Sequence, residues 1–284
     1  MNFDEISSEE DLLNYWELVF NVWKKTPEVY SKLLSYLDEL FNTDFEDYAP
    51  IQLVGDYRDT SNKLLVLSLH PSANKRPKYL KFEHEQRKFS SIPTERKKVK
   101  WESQIRFVTN FFTILKENNQ SIPFFTKLEK LIQYYEQSSE LNTQKYDLLQ
   151  KRIINVDILP FYTKKVTLSE INPVLEGSFK RIKKFYFEKE FDTLIINGKM
   201  LYDGLLSVGF VNSNEKESKP ITVLGKELKI GQFEIQYNGL KKKGIAIPFI
   251  NNLNDEQKKI VAGEMKKATE WNRENSWEVI PGQL

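Results

Sequence analysis

The chain has no cysteine and only two histidines, His70 and His84, among its 284 residues. The first absence excludes a disulfide framework, thiolate zinc sites, iron–sulfur clusters and a cysteine nucleophile together, and it suits a reducing cytoplasm. The second excludes a metal held by three histidines, and no carboxylate-rich cluster stands out to replace it. Charge of one sign is also lacking: 42 Lys and Arg against 40 Asp and Glu leave a formal charge of +2. A preference for an anionic partner must therefore arise from local clustering. No apolar run approaches the roughly 20 residues that cross a bilayer. The first twenty residues, MNFDEISSEEDLLNYWELVF, are acidic and lack the basic region and small-residue cleavage site of a secretory signal. The expectations are a cytoplasmic protein with no membrane partner and no requirement for a cofactor or metal.

What is present is enough apolar material, 40% of the chain, for a sizeable core in one large domain or two small ones. From 11 to 41 the apolar residues recur at helical spacing, broken at Thr26-Pro27, which predicts two helices in an N-terminal extension over 1–50 packed on the core. Four short apolar runs follow, at 64–69, 153–159, 193–196 and 244–249, each stopping abruptly in a loop as a buried parallel strand does. Between them, 101–117, 123–135, 178–188, 200–206 and 255–271 carry helical periodicity. Strand alternating with helix predicts an α/β domain over 51–284. The expected form is a three-layer sandwich with a central, mainly parallel four-stranded sheet. The alternation over 221–237, with Gly225 and Gly231 as breaks, predicts a hairpin inserted before the last parallel strand. Ligands of such sheets bind beyond the carboxyl ends of the strands. That rule nominates the loops at His70 onward, 160–163, 197–199 and 251–254.

Read in order, these loops resemble the uracil-DNA glycosylase superfamily, most closely its single-strand-selective and mismatch-specific branches, over about residues 64–267. Ser68-Leu69-His70-Pro71-Ser72 stands where the family has Gly-x-(Asn or Asp)-Pro-Gly. Asp157-Ile158-Leu159-Pro160 stands where an Asn precedes a Pro, and Ile195-Ile196-Asn197-Gly198-Lys199 matches a strand ending in Gly-(Lys or Arg). The last strand of the family runs into His-Pro-Ser; here Ile247-Pro248-Phe249-Ile250-Asn251-Asn252 has no histidine. The resemblance implies nucleobase recognition, DNA or another nucleic acid as partner, no cofactor, and hydrolysis of an N-glycosidic bond if the chain is active. In that case His70 would activate water, and Asn251 or Asn252 would assist the departing group. Asp157, with Phe161 or Tyr162, would hold the base. Because the departures fall on the chemical residues, the enzyme stays open against two alternatives. One is a non-catalytic nucleic-acid or nucleotide binding module of the same fold. The other is an interaction protein in defence or counter-defence whose N-terminal helices recruit a protein partner.

The residues themselves set these roles against plainer ones. His70, with an ordinary pKa near 6.5, is able to take a proton at neutral pH, or else packs in a strand-end turn. Asp157 in an apolar strand needs a partner or a ligand, since an unpaired buried carboxylate is costly. A carboxylate only accepts hydrogen bonds, so it would read a base edge differently from Asn and favour an amino-bearing base. The rings of Phe161 and Tyr162 would stack a base, a contact worth about 1–3 kcal/mol, or fill the core. Gly198-Lys199 reads as a tight strand-to-helix turn, since the phosphate-loop spacing is absent. The segment 75–102 holds ten basic residues against four acidic ones, with Tyr79, Phe82, Phe89 and Trp101 interleaved. Cations spaced by rings suit single-stranded or flipped-base nucleic acid. They nominate Lys75, Arg76, Lys97, Lys98 and Lys100, with Lys199 beside the site and Lys241-Lys242-Lys243 as a second basic patch.

Overall fold

A computed structural model describes residues 53–56, 60–69, 109–137, 145–158, 182–183, 186–187, 189–207, 209–213, 219–223 and 226–275. The helices expected over 11–41 lie outside the described residues. The described chain is α/β. Its first strands are β1 (Leu53–Val54) and β2 (Lys63–Ser68), followed by helices α1 (Phe111–Glu117), α2 (Pro123–Glu136) and α3 (Asp147–Arg152). Then come β3 (Ile153–Asp157), β4 (Phe191–Asn197), α4 (Lys199–Ser207), β5 (Asn212–Ser213), β6 (Lys219–Val223), β7 (Lys226–Tyr237) and β8 (Leu240–Ile247). A 3-10 turn at Ile250–Asn252 leads into the terminal helix α5 (Asp255–Asn275).

The four apolar runs become β3, β2, β4 and β8, hydrogen-bonded side by side and parallel. Their side chains are buried along all of β2, β3 and β4, which is why these runs lack polar alternation. The sheet is larger and more mixed than the four strands expected. Among the described residues it has eight strands, with β1 antiparallel to β3 on one side and β7 and β5 antiparallel beyond β8. The strand β6 pairs with β7 alone, forming the hairpin expected before the last parallel strand. The sequence reading missed that β7 itself folds back into β8 through Asn238-Gly239. Both residues have positive φ, 49° and 79°, as a two-residue hairpin turn of primed type requires.

The helices bury the stripes their spacing implies. In α2, Pro123 occupies the first turn, and Phe125, Leu128, Leu131, Ile132 and Tyr135 face inward. The start of α5 is a reciprocal cap: Gln257 N donates to Asn254 Oδ1 (2.9 Å) while Asn254 N donates to Gln257 Oε1 (2.8 Å). Phe233 on β7 meets the Tyr202 ring on α4, at 5.9 Å between centroids, whereas its neighbour Gln232 donates to Glu264 on α5. Adjacent strand residues point to opposite faces, so α4 and α5 touch opposite faces of the sheet. Among the described residues no helix is long and apolar enough to cross a membrane.

Candidate functional site

Parallel alignment in the order β3-β2-β4-β8 brings the carboxyl ends of all four strands to one edge. Asp157 closes β3 opposite Ser68, the last residue of β2. Next along the edge Asn197 closes β4 opposite Ile247, and Gly198, at φ +107°, turns the chain into α4. Beyond β8 the chain forms the 3-10 turn that carries Asn251 and Asn252.

Three buried polar side chains at the β2–β3 ends are linked. Ser68 Oγ donates to Asn155 Oδ1 at 3.0 Å, and Asn155 Nδ2 reaches Asp157 Oδ1 at 3.5 Å. Asp157 is 8% exposed and Asn155 2%, so the carboxylate is held at the rim by neighbours that are themselves fixed. A second link joins the β4 and β8 ends: Asn197 Oδ1 accepts from Ile250 N at 3.0 Å, and Gly198 N donates to Ile247 O at 2.9 Å. These bonds set the position of the 3-10 turn. Among the described residues, Oδ1 of Asn251 is buried in that turn and finds no hydrogen-bond donor. Such an acceptor costs about 1–3 kcal/mol unless something supplies a donor, and sites that await a ligand are where such a cost persists.

The candidate residues separate in the following way. Asp157 and Asn251 share the edge but come from different parts of it, Asp157 closing β3 and Asn251 lying in the turn after β8 that Asn197 of β4 anchors. Asn252 is exposed, and its backbone N–H donates to Phe249 O at 2.9 Å. Lys199 opens α4 with its side chain mostly in solvent and pairs with Asp203 one turn on. His70, Phe161 and Tyr162 lie outside the described residues, as do Lys75, Arg76, Lys97, Lys98 and Lys100; Leu69, which packs against the core, leads directly to His70.

The second basic patch does not form as read. Lys241, Lys242 and Lys243 lie within β8, so they alternate between faces. Lys243 sits over the Trp271 ring at 5.1 Å, Lys241 approaches Glu234 at 3.8 Å, and Lys242 turns to the other side. The sequence reading passed over Asn155, and gave no role to Ser68 and Asn197 although both stand in its motifs. The signal was available: an amide inside an otherwise apolar strand must be paired, and Asn155 interrupts such a run.

Among the described residues no group of three or more His, Asp or Glu side chains is placed to hold a metal ion. Comparison of the chain with protein-family models, with curated proteins and with solved structures finds no match. What fold and site define together is an α/β protein with a polar, partly unsatisfied edge at the carboxyl ends of its parallel strands.

Proposed function

We propose that this edge recognises a nucleobase in DNA or another nucleic acid, in the manner of the uracil-DNA glycosylase superfamily, and hydrolyses the N-glycosidic bond of the bound nucleotide. The observation that carries the reading is the meeting of four strand ends in one line. Asp157, the Ser68-Leu69 approach to His70, the Asn197-Gly198-Lys199 turn and Asn251 follow one another along that edge. Asp157 accepts hydrogen bonds from an amino-bearing base edge, and Phe161 or Tyr162 stacks the ring. The basic run at 75–102 follows the same strand end and tracks phosphates. Asn251 Oδ1, which has no donor among the described residues, takes one from the ligand. The domain is a three-layer sandwich in this reading, supported by the opposed contacts of α4 and α5. The lack of cysteine supports a cytoplasmic setting.

The non-catalytic binding module is the second reading, favoured by the last loop, where no histidine is available to stabilise a departing base. A panel of single- and double-stranded oligonucleotides bearing uracil and other modified bases, assayed for abasic sites, separates the two. The enzyme leaves abasic sites, and His70→Ala lowers its rate by about 10²- to 10⁴-fold with binding nearly intact, because a general base is worth that much. Binding without base release, weakened in His70→Ala, establishes the module instead. No binding to any oligonucleotide at low salt would overturn both.

A further inference from the structure

At the opposite edge of the sheet, where the parallel strands begin, the structure holds a cleft of about 440 Å³ that the carboxyl-edge site does not use. Its walls come from the turn before β2, residues 187–190 leading into β4, the start of β8 and the last turns of α5. A volume of that size suits a small molecule. Four cationic side chains line it, Lys189, Lys241, Lys242 and Arg273, against two acidic ones, Glu190 and Asp192.

The acids are already engaged. Asp192 is buried and bridges two guanidinium groups, accepting from Arg273 Nη2 at 2.9 Å and Nε at 3.2 Å, and from Arg152 Nη2 at 3.2 Å. Glu190 accepts from Ser61 Oγ at 3.3 Å. Lys242 is different from the other cations. Its ammonium lies over the rings of Tyr186 (4.6 Å) and Phe187 (5.6 Å) and donates to the carbonyls of Tyr186 (3.0 Å) and Lys189 (3.3 Å). Two of its three N–H bonds are thus used, and no carboxylate among the described residues lies within ion-pair distance. Arg273 likewise spends its Nε and Nη2 donors on Asp192 and Asn62 and keeps Nη1.

We propose that this cleft, lined at the strand-start edge from both faces of the sheet, is a binding site for a small phosphoryl-bearing anion, held between the third N–H of Lys242 and the Nη1 donors of Arg273. The anion supplies the counter-charge that Lys242 lacks, in surroundings partly shielded from water, where charge-assisted hydrogen bonds are strongest. Burial among the rings lowers the ammonium pKa to about 8, and Glu190 opposes that shift only in part. A bound anion raises it again. The titratable and charged groups around Lys242 are Tyr186 beneath it, Lys189 and Glu190 on the turn before β4, Asp192 on β4 and Arg273 on α5, with Lys241 lining the same cleft from the next position of β8. Affinity for the anion accordingly falls as pH rises through about 8, where Lys242 loses its charge.

The test is titration of the full chain with inorganic phosphate and, separately, adenosine 5′-monophosphate. Calorimetry and backbone amide shifts are followed from pH 7 to 9.5. Saturable binding is expected, with amide shifts confined to the cleft. Lys242→Gln and Arg273→Gln should each weaken it about tenfold or more, the usual worth of a hydrogen bond to a charged group. Lys259→Gln, at an exposed ion pair outside the cleft, should leave it unchanged. Tighter binding of the nucleotide identifies a nucleotide phosphate as the source, and equal affinity identifies free phosphate. Absence of saturation for both probes, or equal weakening by all three variants, overturns the proposal. Arg273→Gln keeps the test decisive should Lys242→Gln fail to fold, and neither variant touches the carboxyl-edge site.

Discussion

Single residues carry the sharpest contrast between stability and binding. Among the described residues no donor reaches the buried Oδ1 of Asn251, a cost borne in place. Removing the side chain should therefore cost the unliganded fold little: Asn251→Ala is expected to shift unfolding by less than about 0.5 kcal/mol, or to stabilise it. Oligonucleotide affinity should fall by about tenfold in the same variant, since the ligand loses its acceptor. Chemical denaturation beside a salt-controlled binding curve reads both, and a large loss of stability with unchanged affinity would assign Asn251 to structure. Ser68 behaves in the opposite way. Its hydroxyl satisfies Asn155 Oδ1, so Ser68→Ala leaves a buried acceptor bare and should cost about 1–2 kcal/mol in a urea titration. Ser68 and Asn155 were legible only as polar interruptions of apolar runs; which atom met which depended on the register of β2 against β3.

Elements show where sequence periodicity suffices and where a contact between distant segments must complete it. The apolar stripe of α5 is written into its sequence, but four of its buried positions are polar: Lys258, Glu264, Thr269 and Asn272. Thr269 Oγ1 meets Thr193 Oγ1 on β4 at 2.7 Å and accepts from Tyr135 OH on α2 at 3.1 Å. Asn272 acts as a clamp where β4 and β8 part. Its Oδ1 accepts from Lys243 N at 2.6 Å, and its Nδ2 donates to the carbonyls of Lys243 and Asp192, both at 2.9 Å. The amide side chain thus continues the ladder below the first backbone pair, Leu194 with Gly244. Asn272→Ala should cost about 1–3 kcal/mol, chiefly through Lys243 N, which loses Asn272 Oδ1, while Lys243 O keeps Tyr186 OH and Asp192 O keeps Thr193 Oγ1, measured as a lowered urea midpoint. A change under about 0.5 kcal/mol would show that water replaces the side chain there without loss. The short helix α3 was not legible at all, because six residues carry too little periodicity to distinguish a helix from a loop.

For the whole molecule, the buried ammonium of Lys242 links the sheet to pH. Its folded pKa of about 8 lies below the ordinary lysine value of 10.5, so folding disfavours the charged form. Below pH 8 both states hold the proton and the penalty is full; between about 8 and 10.5 the unfolded chain binds more protons, and stability rises with pH. The slope is at most about 1.4 kcal/mol per pH unit. Tyr186 works the other way at the top of this range, since burial raises its pKa and the unfolded phenol ionises first. Urea midpoints of the wild type should therefore climb from pH 8 to 9.5, and Lys242→Met should lose that climb; a flat wild-type profile refutes the linkage. By itself the sequence determined the α/β class, the four buried parallel runs, the extra hairpin and the helices α2, α4 and α5. Each of these rests on local periodicity, burial and turn chemistry. Only the tertiary structure decided that the sheet has eight strands, since β1 and β5 are two residues long and exist through their partners. It also decided that the lysines at 241–243 are divided between two faces, because a run of like charges carries no mark of the strand that alternates it. The spacing of Asp157 from Asn251 was fixed in the same way: strand order, which depends on contacts between segments far apart in the chain, sets which loops become neighbours.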